Sequence, residues 1–155
     1  MKTLLLIRHA HRDKPNGRDE DNGLSEKGQA QAKAIEKLFL KQFPRIEPLL
    51  ISSPKQRCVE TLMPLSKKLD VDIDVFAQIG EGGAMKKNMQ SFWEWWQQEA
   101  PTFTVACSHG DWIPAFIEMT TGARVECRKG SWCELGESVT EPRIITLLQN
   151  PSDFV

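Results

Sequence analysis

The sequence predicts an α/β fold: a three-layer α/β/α sandwich with a mostly parallel central sheet. Three observations predict it. First, short apolar runs such as Leu4-Leu5-Leu6-Ile7, Pro48-Leu49-Leu50-Ile51 and Thr102-Phe103-Thr104-Val105-Ala106-Cys107 read as strands buried on both faces. Second, longer segments with apolar residues three and four apart lie between them, the spacing of helices with one buried face. Third, strand and helix alternate through much of the chain, with no repeat, low-complexity segment or linker. The 155 residues suit one domain spanning 1–155, long enough to bury a core without disulfides.

In order, Leu4–Ile7 is the first strand and ends abruptly in Arg8-His9-Ala10-His11-Arg12. Arg12 to Asn22 is dense in charge, holds Pro15, Asn16 and Gly17, and reads as a loop that is mostly solvated but, leaving the strand end, is placed for some of its residues to border the site. Ser25 is set to cap a helix running to about Gln42, with Ala30, Ala34, Ile35, Leu38 and Phe39 as its apolar stripe. Gly28 costs helix propensity, which a close approach of neighbouring backbone would explain. Glu47 to Ser52 is the second strand. Ser53 is then expected as N-cap, with Pro54 and Arg57 in the first turn of a helix that Pro64 should kink.

Asp72 to Phe76 alternates as a short strand, and Gln78 to Ala84 is a glycine-rich loop carrying Glu81. Met85 to Glu99 is helical, with Met89, Phe92, Trp93 and Trp96 on one face. Trp95 is expected as a partly exposed packing residue in preference to a cleft rim. After Pro101, the strand Thr102–Cys107 ends in Ser108-His109-Gly110-Asp111. A helix from Trp112 to Thr121 follows, stopped by Gly122. Lys129 to Leu135 forms a turn and a strand, Arg143 to Leu148 a last strand, and the tail beyond Pro151 is expected to fray.

Composition excludes several classes. Lys and Arg total 20 against 21 Asp and Glu, a net charge of −1, which argues against a nucleic-acid binder. Cys58, Cys107, Cys127 and Cys133 show no C-x-x-C pairing and the histidines lack zinc-finger spacing, so no structural metal is expected. Free thiols in a reducing compartment are the favoured reading. Arg8 cuts the first apolar run too short for a signal peptide, and no run reaches membrane-spanning length. The expectation is a cytoplasmic protein with no nucleic-acid or membrane partner.

Three places share one pattern. Arg8-His9 follows the first strand, Arg57 follows the second at the head of a helix, and His109 follows the Thr102–Cys107 strand, also at a helix head. Parallel neighbouring strands would bring these four groups to one edge of the sheet, where helix N-termini add positive potential. Such a place suits phosphate or another compact oxyanion, and arginine forks match its oxygens in pairs.

Arg8-His9-Ala10 resembles the R-H-G/A signature of the histidine phosphatase superfamily, the phosphoglycerate-mutase-like enzymes. Leu24 to Ala32 is similar to its L-[ST]-x-x-G-x-x-x-A segment, Ser52 to Thr61 to its S-S-P-x-x-R-[AC]-x-[EQ]-T segment, and Ser108-His109-Gly110 to its S-H-G. The four segments come in family order across nearly the whole chain. The resemblance implies that His9 is the nucleophile, attacking phosphorus as neutral imidazole while a backbone carbonyl holds its other nitrogen as N–H. It implies that Arg8, Arg57 and protonated His109 bind the equatorial oxygens, with no metal or other cofactor.

Ile79-Gly80-Glu81-Gly82-Gly83 resembles, more loosely, the segment that carries the family's acid, so Glu81 is the candidate; Asp13, Asp21 and Asp111 are rivals. Asp111 otherwise caps the following helix, Ser131 is a turn residue, and His11 and Arg12 read as loop residues. The chain is similar in size to the small bacterial phosphohistidine phosphatases, which implies a phosphorylated small molecule or phosphoprotein as substrate. A mutase and a non-catalytic phosphate-binding module are the alternatives.

Overall fold

The computed structural model describes residues 2–138 and 141–155. A six-stranded sheet runs in the order β3-β2-β4-β1-β5-β6. Its strands are β1 (Lys2–Arg8), β2 (Leu49–Ser52), β3 (Ile73–Val75), β4 (Phe103–Ser108), β5 (Trp132–Ser138) and β6 (Glu141–Leu148). The β2–β3, β2–β4 and β1–β4 pairs are parallel, and β1–β5 and β5–β6 are antiparallel. The sheet is therefore parallel through its centre and mixed at one side.

Four helices cover it: α1 (Glu26–Gln42), α2 (Gln56–Leu69), α3 (Met85–Gln98) and α4 (Trp112–Thr121). The period-two alternation of β1 sorts them into layers. Leu5 and Ile7 pack with Ile35, Leu38 and Phe39 of α1 and Leu62 and Leu65 of α2. Leu4 and Leu6 pack on the opposite face with Phe92 and Trp96 of α3 and Trp112 and Phe116 of α4. Each fully buried side chain of this size contributes roughly 1.5–3 kcal/mol of apolar burial.

Several expectations change at the level of single residues. In α1, Ser25 does cap the helix, its hydroxyl accepting from Gly28 N at 3.0 Å. Ala34, Ile35, Leu38 and Phe39 form the buried stripe as expected, while Ala30 is exposed and Ala32 is buried in its place. A side chain on Gly28 would collide with the His11 carbonyl oxygen, which is the close approach its presence implied.

Ser53 is not the N-cap of α2. Lys55 holds that position without a side-chain bond, because the helix begins two residues later than expected. The first N–H, that of Gln56, donates to Asp21 Oδ1 at 2.9 Å, a cap supplied across space by the loop. Pro64 lies inside α2, which continues through it. The tail does not simply fray: Pro151–Phe154 forms a 3₁₀ turn, and Lys41 of α1 donates to Phe154 O at 3.2 Å.

The tryptophans of α3 serve packing. Trp93 stacks on Trp96 at 5.4 Å, and Trp95 meets Phe76 edge-on at 4.7 Å. All four cysteines are free and buried. Among the described residues, no helix is long and apolar enough to cross a membrane.

Candidate active site

Because β1 and β4 are parallel neighbours in register Arg8↔Ser108, their carboxyl ends deliver Arg8-His9 and His109 side by side. β2 pairs with the other side of β4, and α2, which follows it, places Arg57 in its first turn beside them. His9, Arg57 and His109 are 5%, 2% and 1% exposed. With Arg8 they form the floor of a cleft of about 850 Å³, whose wall includes Glu81 and Asp111. The four groups that the sequence marked as one constellation are thus brought together.

Backbone carbonyls hold Arg8 and His9, and neighbouring side chains tie down Arg57 and His109. His9 Nδ1 lies 2.8 Å from Ala10 O, so Nδ1 carries the proton and Nε2 keeps its lone pair. His9 N donates to Ser108 O at 3.0 Å, tying the nucleophile's backbone to β4. Arg8 Nη1 donates to Cys127 O at 2.7 Å. Gly110 lets that guanidinium lie flat, since a Cβ there would stand 2.5 Å from Arg8 Cζ. The first turn of α2 is joined to the strand end through Thr61, whose hydroxyl donates to Arg57 O at 2.7 Å and accepts from Ala10 N at 2.9 Å.

His109 sits between three side chains. Ser53 Oγ is 2.7 Å from its Nε2, and Arg57 Nη2 and Glu81 Oε2 are each 3.4 Å from its Nδ1. Sequence reasoning gave Ser53 to helix capping and missed this contact. The signal was available in the second serine of Ser52-Ser53-Pro54. The two imidazole rings meet edge-on, 5.5 Å apart.

The electrostatics favour an anion. Burial, together with Arg57, His109 and Arg8, lowers the His9 pKa to about 3, while its bond to Ala10 opposes the shift. The ring is therefore neutral at physiological pH. Among the described residues Arg8 Nε and Arg57 Nε are buried without a hydrogen-bond partner, two donors that an oxyanion would satisfy.

Glu81 reaches the floor, with Oε1 2.5 Å from Arg57 Nη2 and a side chain 42% exposed. Burial pushes its carboxyl up, but Arg57, His109 and Lys55 pull it down further, so the net shift is below the ordinary value. Of the rival carboxylates, Asp21 caps α2 and Asp13 does not line the cleft. Asp111 does line it, while its Oδ1 accepts from Trp112 N at 2.7 Å at the head of α4. His11 bonds Ser25 Oγ at 2.6 Å and faces a neighbouring pocket, and Ser131 is buried at a turn. The loop after β1, read from the sequence as mostly solvated with some residues bordering the site, contributes Arg12, Lys14 and Arg18 to the cleft lining.

The family model of the histidine phosphatase superfamily (branch 1) matches residues 4–97, a span that holds Arg8, His9, Arg57 and Glu81. No curated protein matches the sequence. Solved structures share the fold. The phosphoserine phosphatase of Entamoeba histolytica, a mutant holding phosphoserine, is 17% identical with a TM-score of 0.75, covering 95% of this chain and 96% of that one. A mycobacterial glucosyl-3-phosphoglycerate phosphatase holding VO3 is 18% identical with a TM-score of 0.74, covering 94% and 98%. A protein of Agrobacterium tumefaciens named as the phosphohistidine phosphatase SixA is 21% identical with a TM-score of 0.75, covering 95% and 97%.

Proposed function

The chain belongs to the histidine phosphatase superfamily, and from that premise we propose that it is a phosphatase that hydrolyses phosphorylated substrates through a phosphohistidine on His9. The observation that carries this reading is the state of His9. Its Nδ1 is committed to Ala10 O, its ring is neutral, and its free Nε2 belongs to a cleft lined by Arg8, Arg57 and His109.

In the first step Nε2 attacks phosphorus and the phosphorus–oxygen bond to the leaving group breaks. The ring becomes a phosphoimidazolium whose Nδ1–H keeps its carbonyl partner. Arg8, Arg57 and His109 donate to the equatorial oxygens, and because they are already in place no reorganisation is spent at the moment of transfer. These fixed cations supply the charge compensation without a metal. Glu81, as the acid, gives its proton to the leaving oxygen.

At rest Glu81 is ionised against Arg57 and His109. An arriving phosphoryl group takes those same donors and adds negative charge beside the carboxylate, so substrate binding itself raises the Glu81 pKa and loads the proton. In the second step Glu81 takes a proton from water, the water oxygen attacks phosphorus, and the phosphorus–nitrogen bond breaks. Inorganic phosphate and neutral His9 result.

The test is turnover of p-nitrophenyl phosphate. The expected loss in His9→Asn is at least ~10⁴-fold, and quenched wild type should carry acid-labile, base-stable phosphate. Unchanged turnover in His9→Asn would remove His9 from the chemistry.

A further inference from the structure

The cleft contains a second set of cations that the phosphoryl seat does not use. Arg12, Lys14, Arg18 and Lys129 line the same cavity as the floor, and among the described residues none of them makes an ion pair. Three carboxylates on the wall offset them only in part: Glu81 is bonded to Arg57 and Asp111 caps α4, and although Glu81 and Asp19 both act on Arg12, burial and the neighbouring arginines outweigh them. The chain as a whole carries a net charge of −1, so this excess is local rather than compositional.

Two of the four are firmly placed. Arg12 is half-buried and its backbone forms a β-bridge with Leu24. Lys129 is half-buried and precedes Gly130, whose N–H is shared between Arg8 O and His9 O, each at 3.1 Å. A cation is therefore fastened to the backbone of the nucleophile itself. Burial, then Lys14, Arg8, Arg12 and Arg18, lower the Lys129 pKa, so these like charges feel one another. Unpaired like charges gathered on one wall oppose folding, and an anion seated among them would reverse that repulsion.

Resting on the phosphatase reading above, we propose that this rim is a second anion seat and that the substrate is a small molecule carrying at least two phosphate groups. One phosphate goes to His9. The other is held by Arg12 and Lys129, with Lys14 and Arg18 at the outer margin. The shared cavity decides for a small molecule over a docked protein. Both seats lie within one cleft of about 850 Å³, the scale of a single small ligand, whereas a protein partner engages a far wider surface.

A series of α,ω-alkanediol bisphosphates, each against the monophosphate of the same chain length, tests this. At the chain length that spans the two seats, kcat/KM for the bisphosphate should exceed that of the monophosphate by about tenfold, beyond the factor of two for equivalent phosphates. In Arg12→Gln/Lys129→Gln the ratio should fall below about threefold, the bisphosphate losing far more than the monophosphate, and added salt should compress it in wild type. A ratio near two at every length, or one that survives the double substitution, overturns the proposal.

p-Nitrophenyl phosphate reports the chemistry by itself. If it too is inert, the phosphatase reading fails, and the seat is then decided by calorimetric binding of the same pairs, where the same preference and the same loss are required. A phosphohistidine peptide with acidic neighbours that outperforms every bisphosphate overturns the small-molecule assignment.

Discussion

The floor of the cleft and its rim share one cavity but are built in opposite ways. Arg8, His9, Arg57 and His109 stand at strand ends or helix heads. Backbone carbonyls hold Arg8 and His9, and Ser53 meets His109. Glu81 stands among Gly80, Gly82 and Gly83, with Gly82 and Gly83 at φ +76 and +62°, and Lys14 and Arg18 ride on an exposed loop beyond the bridge that places Arg12. Stabilising charge in a transition state needs donors that do not move. Delivering a proton to different leaving groups, and choosing between substrates, needs groups that can. The floor should therefore matter equally for every substrate, and the rim should matter according to which substrate is present.

Arg57→Lys is the largest test of that division. Lysine keeps the charge but loses the planar fork. The expected fall in kcat/KM is about 10²–10³-fold, the same for p-nitrophenyl phosphate and for an alkyl phosphate. A fall that depended on the substrate would move Arg57 to the rim side of the comparison.

Glu81→Gln should behave in the opposite manner. An alkoxide leaves poorly without a proton, so kcat/KM for an alkyl phosphate should drop about 10²-fold. Nitrophenolate leaves without help, and its kcat/KM should change by less than about threefold. Equal losses on both substrates would make Glu81 part of the fixed electrostatics, and Asp111 would become the acid to test. Gly110→Ala should cost about tenfold on both substrates, because a Cβ 2.5 Å from Arg8 Cζ displaces a floor guanidinium while leaving the rim alone.

The same division explains what the sequence disclosed. The floor was legible because it is local: an apolar run ending in Arg8-His9, a strand ending in His109, and Arg57 just past a strand are readable in one dimension once parallel neighbours are assumed. Gly28 was legible for the same reason, as a residue out of place in a helix. The rim was legible only as a loop placed to border the site, not residue by residue, because its members matter through space. The charges between Arg12 and Asn22 look like any solvated loop until the fold turns Arg12, Lys14 and Arg18 toward the site. Ser53 was misread because a serine before a proline at a helix start fits a cap equally well. Its bond to His109 joins residues 56 apart in sequence, and the cap it did not supply comes from Asp21, 35 residues before Gln56.

The smallest effect separates floor from rim without any substrate. His9 protonates near 6.5 when unfolded and near 3 when folded. Between those values the unfolded chain binds more protons, so stability falls as pH falls through that window. At pH 5 the deficit relative to neutral pH is about 2 kcal/mol, or roughly 4–8 °C in Tm for a chain of this size. His9→Asn removes the titrating group, so its Tm should fall less than that of wild type between pH 7 and pH 5. Glu81 has a lowered carboxyl, and the stability it contributes is lost only as pH falls below the unfolded value of 4.5. Glu81→Gln should therefore leave the pH 7 to pH 5 difference in Tm as it is in wild type. Thermal melts of the three proteins at the two pH values decide the matter: a difference that follows Glu81 and not His9 would mean that the buried imidazole is not the group the fold holds neutral.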